Sequence, residues 1–219
     1  MQNANDTIFA RGLAFFGRTN RLISHELKNV LAIISETTSL MDELIELSDE
    51  GTRLDPGKLR SLARSILEDI DRANGIIRSM NTFAHGVDSW YAEAEVGRTL
   101  NVMQTIARMN ASAKKARLVF PDSEPCIIFT IPFVLQNLLY EILTGILTSA
   151  PSDVRVTLKG EQERVTIRIE GADSEFSQHF IRERAPFFEK TLTAAIQYDL
   201  TAKAMTLTLP RRIEDRGNE

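Results

Sequence analysis

Apolar residues recur at alternating spacings of four and three through the first fifty residues. This heptad pattern predicts one long amphipathic helix from about residue 7 to residue 48. Other leucines and isoleucines flank the pattern, so the apolar stripe is wider than a two-stranded coiled coil needs, and it indicates a four-helix bundle. The predicted seam consists of Phe9, Leu13, Phe16, Asn20, Ile23, Leu27, Val30, Ile34, Thr37, Met41 and Leu44.

A stop signal and a start signal follow this helix. Gly51 favours its end, while Asp55 is typical of an N-cap and Pro56 of the first helical position. A second stripe with the same spacing runs from Leu59 to Phe83 and predicts a second helix that ends near residue 85. Two stripes this wide cannot both be buried within one hairpin. We therefore expect residues 1–90 to dimerise into a four-helix bundle.

The pattern changes after residue 90. It predicts a helix over 96–116, strands at "RLVF" and "CIIFT", and a helix over 132–148. Alternating residues in "VRVTLKG" and "RVTIRIEG" predict two strands, "FFEKTLTAA" a helix, and "IQYDLTAKAMTLTLP" a closing β-hairpin. This order predicts a two-layer α/β sandwich with a mixed or mostly antiparallel sheet over 91–219. The whole chain is then of the α+β class.

Composition and charge exclude several classes of protein. The 26 Lys and Arg against 30 Asp and Glu give a net charge of −4, which argues against a nucleic-acid partner. The single cysteine, Cys126, excludes an intrachain disulfide, the three scattered histidines show no metal-ligand spacing, and a cytoplasmic location fits best. The apolar run 126–150 contains Pro132, Gln136 and Glu141, which disfavour a membrane span, so we expect a buried strand and helix there.

His25 is the strongest candidate for chemistry. In the heptad register it falls at the f position, farthest from the seam, where the side chain is exposed. An exposed imidazole can accept a phosphoryl group near neutral pH, and nearby cations would screen the incoming charge. Its neighbours on this helix surface are Arg18, Glu26, Lys28, Asn29 and Ala32.

The segment "SHELKN", residues 24–29, resembles the H-box of sensor histidine kinases, with Val30 in place of the usual proline. In that family the helical hairpin dimerises into a four-helix bundle, and the H-box histidine carries the phosphoryl group. The resemblance therefore implies that His25 is the phosphoacceptor. It also implies that Glu26 orients the imidazole and that Asn29 helps to position the phosphoryl group or a water.

Residues 91–210 resemble the ATP-binding domain of the same family in their order of elements, but not in their chemistry. Asn137 matches the first asparagine of the N-box helix, whereas Glu141 stands where a magnesium-binding asparagine is expected and Thr144 where a basic residue is usual. The adenine-binding motif Asp-x-Gly-x-Gly is replaced by "GADSE", residues 171–175, and no glycine occurs between Gly171 and Gly217 to form a phosphate-wrapping loop. We expect no useful affinity for ATP.

A kinase-like fold without its ATP site resembles the bacterial histidine phosphotransferases of phosphorelays. The resemblance implies that the protein relays phosphate between receiver-domain aspartates of response regulators through His25. It implies no cofactor on this chain, because the Mg²⁺ is expected on the receiver. Arg18, Arg21 and Lys28 would favour docking of an acidic receiver, and the small Ala32 lies on the same exposed line.

Three alternatives stay open at this point. The first is a divergent but working kinase in which Glu141 binds the metal. The second is a non-enzymatic dimeric scaffold that binds receivers. The third is a receiver phosphatase in which Glu26 and Asn29 place a water.

Overall fold

The structure is a computed structural model. It describes residues 2–49, 53, 55–110, 118–119, 125–149 and 153–214, with side chains from residue 9 onward. The chain is α+β, with a long N-terminal helical hairpin followed by a sheet-containing unit. The predicted fold class is therefore confirmed.

The hairpin consists of α1 (Gln2–Asp49) and α2 (Pro56–Ala84), and a 3₁₀ turn, His85–Val87, follows α2. Asp55 caps α2 as predicted, because its carboxylate accepts a hydrogen bond of 2.8 Å from the backbone N–H of Gly57. The predicted stop at Gly51 lies outside the described residues.

The second unit contains two sheets. A five-stranded mixed sheet has the order β2-β4-β5-β7-β6, in which β2 is parallel to β4 and the other pairs are antiparallel. A separate antiparallel pair joins β1 to β3. The elements are β1 (Ala92–Glu95), α3 (Val96–Arg108), β2 (Leu118–Val119), β3 (Ile127–Thr130), α4 (Pro132–Ser149), β4 (Val154–Gly160), β5 (Arg164–Glu170), α5 (Ser174–Glu183), α6 (Ala185–Leu192), β6 (Ala195–Asp199) and β7 (Ala204–Pro210).

This arrangement agrees with the predicted sandwich in most elements. The predicted mixed sheet, the central helix α4 and the closing hairpin of β6 and β7 are present. Two elements, β1 and α5, were not predicted. Helix α3 ends at Arg108 rather than near residue 116, and residues 111–117 lie outside the described part of the chain.

The core of the second unit lies between the five-stranded sheet and its helices. Alternate residues of β5 (Val165, Ile167 and Ile169) are fully buried, and so is almost every side of α4. The apolar run around α4 is therefore a buried core helix, as predicted. No helix among the described residues is both long and apolar enough to span a membrane.

The hairpin and the second unit share an aromatic cluster. The Phe15 ring of α1 lies with its centroid 5.4 Å from Phe83 of α2, 5.3 Å from Phe133 and 5.4 Å from Tyr140, the last two on α4. Burial of Phe15 against two neighbouring helices rotates the buried stripe at this end of α1. This corrects the predicted seam, because Phe9 and Leu13 are exposed while the buried residues are Phe15, Thr19, Ile23, Glu26 and Val30.

Candidate functional site

His25 lies on an exposed face of α1. The side-chain amide nitrogen of Asn29, one helical turn later, lies 3.2 Å from the imidazole Nδ1. Within the described part of the chain, no other hydrogen bond to this ring is present, and the residue is exposed. When Nδ1 carries the proton and the Asn29 amide presents its oxygen to it, Nε2 has the free lone pair of a nucleophile.

Glu26 does not contact the His25 ring. Its side chain is buried in the hairpin, where one carboxylate oxygen accepts a hydrogen bond from Nη2 of Arg72 on α2. Consecutive helical residues point about 100° apart, so Glu26 faces α2 while His25 faces solvent. The structure therefore differs from the predicted contact, because the residue that meets the imidazole is Asn29.

Sequence reasoning missed Arg72. The signal that could have found it is its position, directly before Ala73 in the apolar stripe of α2, where a cation at the stripe edge can reach the neighbouring helix. Its partner could not be read from the sequence, because Glu26 is 46 positions away.

The predicted docking residues lie around His25. Arg21, Lys28 and Ala32 are all exposed on α1. The guanidinium of Arg18 is more than half exposed, and its Nη2 lies 3.8 Å from a carboxylate oxygen of Glu141 on α4. The cationic surface beside the histidine therefore extends to the border with the second unit.

The two sides of the hairpin differ in chemistry. Each residue advances about 100° around a helix, so the contact between Glu26 and Arg72 fixes which residues share a side. His25, Asn29 and Arg72 fall on one side, called here the histidine side. The other side, called here the apolar side, carries large residues that are 38% to 64% exposed, namely Leu31, Ile45, Leu67, Ile70 and Ile77, while Leu40 and Leu47 are exposed on α1 outside it.

Glu141 has a protein partner at both oxygens. Arg184, which follows α5, donates from Nε to Oε2 at 3.0 Å and from Nη2 to Oε1 at 2.7 Å. This hydrogen bonding raises the pKa of the Arg184 guanidinium above its ordinary value. The described residues contain no group of three or more His, Cys, Asp and Glu side chains placed to hold a metal.

The segment that replaces the adenine-binding motif begins a helix. Asp173 caps α5 by accepting a hydrogen bond of 2.9 Å from the backbone N–H of Phe176. The ring of Phe176 lies directly on Gly145 of α4, so closely that a Cβ at Gly145 would overlap it. Phe180 is buried on the same helix. A cleft of about 460 Å³ remains, with Arg18 among its lining residues.

Comparisons with known proteins bear on the fold. A bacterial phosphotransferase of known structure is similar with a TM-score of 0.53 and 13% identity, over 90% of this chain and 95% of that chain. The Acinetobacter baumannii histidine kinase AdeS has a TM-score of 0.46 and 10% identity, over 80% of this chain and 95% of that chain. The ATP-binding domain of PrrB from Mycobacterium tuberculosis has a TM-score of 0.44 and 15% identity, over 56% of this chain and 98% of that chain. No protein-family model matches the sequence, and no curated protein matches it. The chain therefore shares its fold with that bacterial phosphotransferase over most of its length.

Proposed function

We propose that the protein is a histidine phosphotransferase of a two-component phosphorelay. It acts as a cytoplasmic homodimer and relays phosphate between receiver-domain aspartates through His25, without autophosphorylation by ATP. The observation that carries the proposal is the exposed His25 ring, held at Nδ1 by Asn29, on the hairpin of a histidine-kinase-like fold.

The transfer step follows from the geometry of the ring. The step requires the tautomer with its proton on Nδ1, so the Asn29 amide turns its oxygen toward Nδ1–H before the transfer. The lone pair of Nε2 then attacks the phosphorus of the receiver aspartyl phosphate, the P–O bond to the aspartate breaks, and the carboxylate leaves with the electron pair. The imidazole then carries a positive charge, and its Nδ1–H continues to donate to the amide oxygen of Asn29. The Mg²⁺ of this reaction belongs to the receiver, so we assign no cofactor to this chain.

The surface around His25 suits an acidic receiver. Arg18, Arg21 and Lys28 are exposed, and Ala32 leaves room beside them. Rim cations of this kind mainly raise the association rate by steering an oppositely charged partner. Receiver binding should therefore weaken as the salt concentration rises.

The second unit supports a phosphate source other than ATP. Aromatic side chains of α5 cover α4 where the resemblance predicts the nucleotide, and Arg184 occupies both oxygens of Glu141. A carboxylate already bound by arginine is a poor magnesium ligand, which disfavours the divergent-kinase alternative.

The apolar side of the hairpin supports the homodimer. Five large exposed side chains lie on two neighbouring helices, on the side opposite the histidine side. A second copy packed there would complete a four-helix bundle and leave His25 accessible.

The test is a phosphate chase from a panel of radiolabelled receivers. Label should appear on the protein and be lost in acid, as phosphohistidine is. His25→Ala should abolish labelling and change the free energy of unfolding by no more than about 0.5 kcal/mol, because the side chain is exposed. Labelling of this variant, or the absence of any donating receiver, would contradict the relay and favour the scaffold alternative.

A further inference from the structure

Arg72 is a half-exposed arginine to which the proposed function gives no role. Its side chain is 46% exposed, while that of its partner Glu26 is 10% exposed. The described part of the chain shows one hydrogen bond for its guanidinium, from Nη2 to Glu26. A guanidinium has five N–H donors in a rigid planar arrangement, so most of its donors are available to another group.

The position of Arg72 brings these donors close to the phosphoacceptor. Glu26 directly follows His25, and consecutive Cα atoms are about 3.8 Å apart. The guanidinium is therefore anchored at the level of His25. Arg72 also lies on the histidine side of the hairpin, because it precedes the buried Ala73 on α2 just as His25 precedes the buried Glu26 on α1. In an antiparallel pair of right-handed helices, these two offsets point to the same side.

The buried carboxylate explains why the guanidinium stays there. An unpaired charge at Glu26 would be costly in the hairpin interior, so the pair is strongly favoured over separation. The salt bridge thus orients an arginine that would otherwise sample many rotamers. An oriented arginine beside a phosphoryl acceptor can stabilise the charge that develops on the phosphoryl oxygens during transfer.

We propose that Arg72 binds the phosphoryl oxygens during transfer to His25, and that Glu26 is a positioning residue for Arg72 rather than for the imidazole. This inference rests on the proposed function and adds a catalytic residue to it. It also gives Glu26 a role that agrees with its burial.

A small donor tests Arg72 without any receiver. Phosphoramidate can phosphorylate the imidazole: a new P–N bond forms at His25, the P–N bond of the donor breaks, and the nitrogen leaves as ammonia after protonation. We expect Arg72→Met to slow this labelling about 10-fold or more, less than the full effect of an enclosed oxyanion donor because the site is partly solvated. Arg72→Lys should restore part of the rate, since it keeps the charge but loses the planar donor set.

Arg78→Met is the matched control. Arg78 is an exposed arginine of the same helix, six residues later and separated from Arg72 by about 120° around the helix axis, away from the histidine side. Its loss should leave the labelling rate unchanged. Thermal unfolding of each variant verifies folding, and Arg72→Gln or Arg72→Lys replaces Arg72→Met if that variant does not fold.

The role of Glu26 is tested by non-additivity. Glu26→Gln should slow labelling several-fold, and it should cause little further loss when Arg72 is already Met, because both changes remove the same oriented guanidinium. With a donating receiver, Arg72→Met should lower kcat and leave KM within about threefold, as expected for a group that acts in the transition state.

Equal rates for Arg72→Met and the unsubstituted protein overturn the inference, and additive losses for Glu26 and Arg72 overturn the positioning role. The relay can fail separately. Labelling by phosphoramidate that depends on Arg72, together with no transfer from any receiver, refutes the relay and retains the role of Arg72. If a receiver transfers phosphate to the protein at a rate that does not depend on Arg72, the relay is retained and the role of Arg72 is refuted.

Discussion

The hairpin and the sheet-containing unit differ in how completely a single chain buries them. Among the described residues of the second unit, from β1 onward, the exposed large apolar side chains are few and scattered, namely Val119, Ile127 and Leu200. The hairpin instead leaves many large apolar side chains exposed, five of them on its apolar side. The second unit is thus closed by its own sheet and helices, whereas the hairpin presents a surface that a partner can cover.

The same two regions differ in their chemistry. The hairpin keeps an exposed imidazole, its amide partner and an oriented arginine on one side. In the second unit, the Phe176 ring and the ion pair of Arg184 with Glu141 lie where the resemblance predicts a nucleotide. The exposed polar groups of the proposed site and the closed packing thus lie in different regions of this molecule.

The largest expected effect concerns the apolar side. Changing Leu67 and Ile77 together to Glu should weaken self-association by about 100-fold or more, since each burial lost is worth at least about 1.5 kcal/mol. Light scattering at micromolar concentration measures it. Leu200→Glu, at an exposed turn position of the second unit, is the control and should leave the mass unchanged. A monomeric mass for the unsubstituted protein would refute the bundle.

The next effect concerns the packing of α5 on α4. Gly145→Ala should lower the free energy of unfolding by about 1–3 kcal/mol, because the new methyl group displaces the Phe176 ring. Gly17→Ala is the matched change in α1, where no atom lies within 4 Å of the new Cβ, and it should raise stability by about 0.5–1 kcal/mol. Urea denaturation measures the free energy of unfolding of both variants. Equal effects at the two glycines would show that α5 does not pack closely there.

A smaller effect is expected at Asn29. Asn29→Ala removes one neutral hydrogen bond to His25, worth about 0.5–1.5 kcal/mol, so transfer or dephosphorylation should slow by about 2- to 12-fold while receiver binding persists. Asn20→Ala, at another exposed asparagine of α1, should have no effect. Rapid-quench kinetics with a phosphorylated receiver would detect the difference. Unchanged rates would leave Asn29 without a role in positioning the ring.

The smallest expected signal is that for ATP. Calorimetry with ATP and magnesium in the millimolar range should show no saturable heat. Phe176→Ala should not restore binding, since opening the packing of α5 supplies neither an adenine-reading aspartate nor a metal ligand. Saturation by ATP would support the divergent-kinase alternative.

The sequence alone determined the features that depend on neighbours within one or two helical turns or along one strand. The cap at Asp55, the exposure of His25 and its closeness to Asn29 follow from helical spacing, and strands β4 and β5 follow from alternation. Such patterns can be read because their interacting groups are close in sequence.

The tertiary structure alone decided which distant groups meet. Glu26 pairs with an arginine 46 positions away, and Glu141 with one 43 positions away, so neither partner follows from local spacing. The rotation of the buried stripe at Phe15 depends on contact with α4. The unpredicted helix α5 forms where Asp173 caps it and Gly145 leaves space for Phe176. These outcomes depend on how whole elements pack, because a buried charge or a large ring is stable only where another part of the chain provides its partner or its space.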